Sequence, residues 1–156
     1  MDAVTLLRND HRTVEKLFKA FEKAKDPQTK AAAVSQMVPE LSVHTVIEEQ
    51  VFYPAVRSEV EDANSMILES LEEHHILKWV LSELEGMSPE DERFDAKVTV
   101  LIENVRHHVE EEEQEMFPQV RGAMGRKRLT ELGQRMEDLK KRAPKHPQPR
   151  EQRAAS

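Results

Sequence analysis

One stretch of eleven residues occurs twice in this 156-residue chain. Residues 44–54 read HTVIEEQVFYP, and residues 108–118 read HVEEEEQEMFP. In each copy a His is followed four positions later by Glu, then by Glu-Gln, and an aromatic residue precedes a Pro at the tenth step. Positions i and i+4 share a helix face, so His44 with Glu48, and His108 with Glu112, can each reach one point in space. Imidazole and carboxylate at that spacing make half of a metal site, and the duplication points to a two-metal centre.

The duplication extends beyond the eleven residues. His11 and His74 stand 63 residues apart, and His44–His108, Glu48–Glu112 and Pro54–Pro118 are each 64 apart. Val14, Leu17, Phe18 and Phe21 after the first lone His correspond to Leu77, Val80, Leu81 and Leu84 after the second. Two helical hairpins, each ordered His and then His-x-x-x-Glu, predict an all-α, antiparallel up-down four-helix bundle with a pseudo-twofold axis.

Composition fits that fold and narrows the chemistry. Charged residues make up 34%, aromatics 4%, and there are only four glycines, the profile of a helical bundle. The net charge of −7 argues against nucleic acid or an anionic membrane as partner. With no cysteine, disulfides, thiolate zinc sites and iron–sulfur clusters are excluded, so any metal must be held by His and carboxylate. No apolar run reaches transmembrane length and no hydrophobic segment follows Met1, so the expected location is cytoplasmic.

The apolar spacing predicts a first helix over about 2–25 capped by Asp2, and a second over about 27–56 with Asp26 as cap and Pro27 at its first position. Pro39 is expected to kink or break the second helix, and Pro54 to deform or end its last turn. The third helix is expected over about 63–85, closed by Gly86. Ser88-Pro89 is expected to start the fourth, which runs to about Met116. After a turn bracketed by Gly122 and Gly125, Leu129, Leu132, Met136 and Leu139 mark a short fifth helix over about 126–142, opened by the basic run Arg126-Lys127-Arg128. Residues 1–142 then form the bundle, and the Pro-rich polar tail 143–156, with a solvated His146, is expected to be disordered.

A lone His on an apolar stripe is ordinarily a hydrogen-bonded core residue, and one His-x-x-x-Glu is weak evidence in a chain with 30 acidic residues. The joint pattern changes the balance. Four His and two Glu fall on the inward stripes of four helices, and burying Glu48 and Glu112 without a cation costs on the order of several kcal/mol each. Only Lys78 offers a positive charge near those stripes, whereas a metal pair would neutralise both carboxylates. Nitrogen and oxygen donors suit iron, manganese or zinc, and shared carboxylates favour a dinuclear iron or manganese centre. Paired Glu-x-x-His motifs of the ferritin type are not met, since only Glu72 and His75 have that spacing. His75 and His107 point about 100° away from the inward stripe, and the run Glu110–Glu115, Glu112 apart, is expected to be a solvated face.

The ordered set His11, His44-x-x-x-Glu48, His74, His108-x-x-x-Glu112 resembles the hemerythrin-like (HHE) family over about residues 1–142. The resemblance implies two iron ions in an oxo- or hydroxo-bridged non-haem centre, with the four His as terminal ligands and Glu48 and Glu112 as bridging carboxylates. The pseudo-symmetry of the repeat would pair His11 with His44 on one iron and His74 with His108 on the other. Two departures matter. Oxygen-carrying members of the family have a further His where this chain has Lys78. They also tend to use a carboxylate five residues after the fourth-helix His, here Glu113, whereas the internal repeat favours Glu112. Both irons would then keep an open position, which suits turnover of hydrogen peroxide, oxygen or nitric oxide better than clean storage.

The expected function is therefore peroxide decomposition, catalase- or peroxidase-like, or nitric oxide handling under oxidative or nitrosative stress, by a monomer or homodimer. The alternatives are a module that reversibly binds or senses oxygen or iron, and a helical interaction protein with a vestigial site. Tyr53, the only tyrosine, faces away from His44 in an unbroken helix and is expected to pack. Its alternative role is that of a hydrogen-bond donor or phenolate ligand at the irons. Lys78 is a candidate support for the ligands.

Overall fold

The computed structural model describes residues 1–148. Helix α1 (Ala3–Lys23) and helix α2 (Pro27–Ile47) form the first hairpin. The second helix runs on through a wide π turn, π1 (Glu48–Phe52), into α3 (Tyr53–Glu59). Helix α4 (Asn64–Glu85) and helix α5 (Phe94–Glu111) form the second hairpin, and α5 continues through a second wide turn, π2 (Glu112–Met116), into α6 (Phe117–Lys140). The described residues contain no strand, and no helix among them is long and apolar enough to cross a membrane.

The predicted caps form as expected at the first two helices. Thr5 N–H donates to Asp2 Oδ1 at 2.8 Å, and Thr29 N–H donates to Asp26 Oδ1 at 2.8 Å, satisfying amides that have no partner inside the helix. Helix α4 ends at Gly86. Two expectations are corrected. Ser88-Pro89 does not start a helix: Asp91 and Ser88 tie residues 88–91 into a turn, with Ser88 N–H donating to Asp91 Oδ2 at 2.9 Å, and α5 begins at Phe94. Pro39 does not interrupt α2, which continues through it as one helix, held by burial of Met37, Val38 and Leu41 on either side.

Gly125 (φ 77°, ψ 168°) breaks α6 into the end of the fourth bundle helix and the separate fifth helix, a conformation that suits glycine alone. Gly122 lies within the helix rather than in a turn. Leu129, Leu132, Met136 and Leu139 of the fifth helix are buried, as their spacing predicts. The fifth helix packs over α1 and α2 through a cluster shared with Val4, Leu7, Val43, Val46 and Ile47. This explains why every residue from Leu41 to Glu49 is buried, although an amphipathic bundle helix ordinarily keeps a wet side. Ala143 still belongs to this core and His146, itself exposed, meets Glu85 at 2.5 Å, while residues 149–156 of the predicted tail lie outside the described part.

A second apolar cluster, built on Phe18, Met37, Leu81, Phe94 and Leu101, fills the other end of the bundle. The inward-facing His and Glu residues occupy the layer between the two clusters.

Candidate metal centre

The stripes that carry apolar residues at either end of the bundle carry His11, His44, His74 and His108 in the middle. All four are buried, Glu48 is 0% exposed and Glu112 1%. One donor atom from each of His11, His44, Glu48 and Glu112 lies within 4.8 Å of the others, and Glu48, His74 and His108 form a second such group. Glu48 Oε1 stands 3.0 Å from His44 Nε2 and 3.2 Å from His74 Nε2, so one carboxylate oxygen serves both groups. Glu112 spans them as well, with Oε1 3.2 Å from His11 Nε2 and Oε2 3.5 Å from His108 Nε2. The two halves are near copies. The rings of His11 and His44 lie 5.0 Å apart at 63°, and those of His74 and His108 lie 4.9 Å apart at 60°.

These close approaches are not hydrogen bonds. His11 Nε2, His44 Nε2, both oxygens of Glu48 and Glu112 Oε1 are buried without a hydrogen-bond partner. Buried polar atoms without partners are rare because each forfeits its hydration, and five such atoms converging on one point have the arrangement of donors around a shared cation. The donor set, imidazole and carboxylate only, fits a first-row transition metal.

Each histidine turns its other nitrogen to a carboxylate. Nδ1 of His11 meets Glu113 Oε2 at 2.6 Å, and that of His44 meets Asp10 Oδ2 at 3.1 Å. Nδ1 of His74 meets Glu49 Oε2 at 2.8 Å, and that of His108 meets Glu73 Oε1 at 2.7 Å. Such partners fix the tautomer that leaves Nε2 free for a metal and raise its basicity. The four form a closed ring: α1 supports the His of α2, π1 that of α4, α4 that of α5, and π2 that of α1. Sequence reading missed this ring. The signal was present, because Asp10 and Glu73 immediately precede the lone histidines and Glu49 and Glu113 immediately follow the inward glutamates, at the same 63- and 64-residue offsets.

Positive charge backs part of the ring. Lys78 Nζ donates to Glu49 Oε1 at 2.7 Å, so Lys78 faces the carboxylate behind His74 and not the centre itself. Lys140, from the fifth helix, pairs with Asp10. Burial opposes charge on His44, but Glu48 and Asp10 outweigh it and push its pKa up to about 10. Burial likewise opposes charge on His108, and Glu112, Glu48 and Glu73 hold it well above the usual imidazole value. Burial opposes charge on Glu48, but the imidazoles beside it, His44 foremost, outweigh burial and push it well below the carboxylate range.

The orientation of Tyr53 is a correction. A five-residue step from Glu48 would turn it away in an α-helix, but π1 carries its hydrogen bond from Tyr53 N–H back five residues to Glu48 O. The wide turn comes directly before Pro54, which has no N–H for the carbonyl four residues back. Tyr53 thereby faces inward, and its hydroxyl donates to Glu112 Oε2 at 2.7 Å and lies 3.3 Å from Nε2 of both His74 and His108. Burial, with Glu112 and Glu48 close by, raises its pKa well above that of free tyrosine, so it stands there as the neutral phenol. The second wide turn does the same for Phe117, which stacks on His11 at 5.9 Å between centroids.

His75 is half-buried and Glu72 exposed, and neither joins the cluster. His107 is on the surface against Glu111. A cavity of about 20 Å³ touches His74, His108, Glu73, Leu77, Asn104 and Val105, and a groove of about 450 Å³ between α1 and α5 has His11 and Glu113 in its wall.

A family model, described as the hemerythrin HHE cation binding domain, matches residues 2–120. The chain belongs to this family. The hemerythrin-like match covers both hairpins and every inward His and Glu, so the donor chemistry described above is that of a cation-binding domain. Among curated proteins the chain is 28% identical over 141 residues to an uncharacterised hemerythrin-like protein of Schizosaccharomyces pombe, covering 90% of this chain and 70% of that one. It is 31% identical over 121 residues to a DNA nickase of Nostoc sp., covering 78% of this chain. The match spans only 34% of the Nostoc protein's length. Among solved structures, a hemerythrin HHE cation binding domain-containing protein from Mycobacterium kansasii shares the fold, with a TM-score of 0.77 and 22% identity over 91% of this chain and 86% of that one.

Proposed function

We propose that this hemerythrin-like protein holds two iron ions in the buried His/Glu layer and uses them to decompose hydrogen peroxide or to handle nitric oxide under oxidative or nitrosative stress. The observation that carries the reading is the pair of donor groups sharing Glu48, set in a layer of buried atoms that lack hydrogen bonds. His11 and His44 would hold one ion and His74 and His108 the other, with Glu48 and Glu112 common to both. An iron pair supplies reversible one-electron steps and a Lewis-acidic seat for a small ligand.

The chain's own residues favour turnover of a small molecule over storage. Lys78 stands where a carrier would place a further imidazole, and it is committed to Glu49, which leaves the His74/His108 half with fewer nitrogen donors. Tyr53 fills the side of that half with a phenol that holds a proton 2.7 Å from Glu112. It can deliver that proton to a reacting oxygen or take one back, while Glu112 accepts the hydrogen bond. The cavity beside His74 and His108, about 20 Å³, has room for roughly one water-sized molecule, which suits a small ligand such as peroxide or a diatomic gas. The ring of outer carboxylates keeps each Nε2 aimed inward throughout. Strand cleavage, the named activity of the longer Nostoc relative, is not part of this reading, because a chain of net charge −7 repels a polyanion.

The test is direct. Protein expressed with iron is expected to carry about two irons per chain and to release oxygen when peroxide is added. A stable oxygenated adduct without turnover would favour reversible binding or sensing instead, and failure to hold iron would defeat both readings. Tyr53→Phe is expected to keep the iron and slow peroxide turnover by about 10²-fold. A visible charge-transfer band lost in the same variant would make Tyr53 an iron ligand, and an unchanged spectrum would leave it as a proton donor.

A further inference from the structure

We infer that Glu73, His107 and Glu111 form a separate outer site for a divalent first-row transition ion, on the surface between α4 and α5. One donor atom from each lies within 4.8 Å of the other two. His107 and Glu111 are four apart on α5 and in contact, and Glu73 faces them from α4. The set is one imidazole, a donor that suits zinc, copper, iron and nickel, and two carboxylates that supply the opposing charge. His107 is 67% exposed at its side chain, so an ion reaches the site from solvent without any opening of the bundle.

The internal repeat supplies the independent argument. The residues equivalent to Glu73, His107 and Glu111 in the first hairpin are Asp10, Val43 and Ile47. There the fifth helix covers the surface: Val43 and Ile47 are buried against its apolar face, and Lys140 sits on Asp10. The second hairpin has no such covering helix among the described residues. Where the first hairpin has two apolar residues and a lysine delivered from outside, the second has a His and a Glu.

The four outer carboxylates show the same contrast. Asp10 has Lys140, Glu49 has Lys78, and Glu113 has Arg8 and Arg12 nearby. Glu73 meets His108 Nδ1 and pairs with no lysine or arginine among the described residues. Glu111 is in contact with His107. A divalent ion at this point would do for Glu73 what a lysine does for its counterparts. Because Glu73 also holds Nδ1 of His108 at 2.7 Å, outer occupancy and the hold on the buried histidine are linked through one carboxylate.

The inference stands on surface geometry and not on which metal the buried layer contains. Full-length protein, as purified with iron, is titrated with Zn²⁺ and the bound zinc and iron are counted, alongside His107→Ala and Glu111→Gln. The expected result is that wild type takes up one more Zn²⁺ per chain than His107→Ala, with equal iron in both, and that Glu111→Gln weakens that zinc at least about tenfold, as loss of a partner does at metal sites. The difference between wild type and His107→Ala reads the outer site whether the buried layer is filled or not. Equal zinc uptake by the two proteins, or a loss in His107→Ala taken from the buried iron instead, overturns the proposal.

Discussion

The two halves of the buried layer share a donor set and a geometry, and differ in what surrounds it. His11/His44 and His74/His108 have almost the same ring separation and tilt, and each histidine leans on a carboxylate at the equivalent place in the repeat. Beside His11 lies Phe117, and beside His74 lies Tyr53, 64 residues earlier and one hydroxyl richer. In the Phe117 half both imidazole Nε2 atoms are buried without a hydrogen-bond partner, whereas in the Tyr53 half both lie 3.3 Å from the Tyr53 hydroxyl, whose proton goes to Glu112. The first half is also roofed by the fifth helix through Lys140, and the second is not. Duplication therefore gave both halves the same inward donors, and changes around those donors set an aromatic ring against one half and gave the other a phenol that can handle a proton.

The strongest way to break the comparison is to remove what the halves share. Glu48→Ala takes away the oxygen that stands 3.0 Å from His44 and 3.2 Å from His74. The variant is expected to lose both metal ions, with affinity down by at least ~100-fold, and the loaded protein to melt at a lower temperature because metal binding is coupled to folding. Metal quantitation and a thermal melt check it, and retention of one tight ion would show that the halves work independently. His44→Ala and Glu112→Ala are expected to lose iron as well.

Acidity is the next lever. In the metal-free protein His44 has its pKa raised to about 10, above the ~6.5 of an unfolded histidine. The charged imidazole therefore stabilises the metal-free fold fully below about pH 6.5, and this contribution is lost as pH rises through about 10. Asp10 is shifted the other way, because His44 and Lys140 outweigh its burial, so its contribution is present above the ordinary carboxylate range and is lost on acidification. A metal must displace the proton of His44, so affinity is expected to climb by about tenfold per pH unit between about 7 and 10. Calorimetry in buffers of different ionisation enthalpy should register the released proton, and pH-independent affinity would contradict the charged state assigned to His44.

How much of this was legible in the sequence depends on which way a residue points. The six inward donors and the fifth helix could be read because they lie on apolar stripes of regular period. The outer carboxylates repeat at the same offsets but do not stand out, because a residue adjacent to a stripe points about 100° away from it. In a chain with 30 acids such a residue looks like solvated surface. In a bundle that direction leads to the next helix, which is where Asp10, Glu49, Glu73 and Glu113 find their histidines. Tyr53 was legible only as one of two alternatives, packing or a role at the site, for a different reason: the wide turn over Glu48–Phe52 adds a residue, and no periodicity taken across it keeps its phase. Pro39 failed as a break because burial of the surrounding helix outweighs the one hydrogen bond it removes.

The outer ring gives a smaller and one-sided test. Lys78→Met removes the charge 2.7 Å from Glu49 while keeping the length of the buried side chain. The hold on His74 loosens, and affinity in the Tyr53 half is expected to fall by about tenfold, with the Phe117 half unchanged. Stepwise metal titration distinguishes the two, and an equal loss in both halves would mean that the ring acts as one unit.

The smallest expected effect falls on the other half and comes from far outside it. A Cβ at Gly133 would lie 2.0 Å from Met1 O and 2.9 Å from Ala3 N, and those atoms are backbone that cannot rotate away. Gly133→Ala must therefore push the fifth helix off the start of α1, at a cost of about 1–3 kcal/mol for an overpacked contact. Lys140 would then be drawn back from Asp10, and Asp10 is what holds Nδ1 of His44 at 3.1 Å. The expected result is a few-fold loss of metal affinity in the His11/His44 half alone, with a melting temperature lower by several degrees. Gly122→Ala is the control, since its Cβ would meet nothing within 4 Å and the position is helical, where alanine is the better residue. If Gly133→Ala lowered the melting temperature and left both metal affinities untouched, the fifth helix would be a stabilising cover only, and the His11/His44 half would owe its character to Phe117.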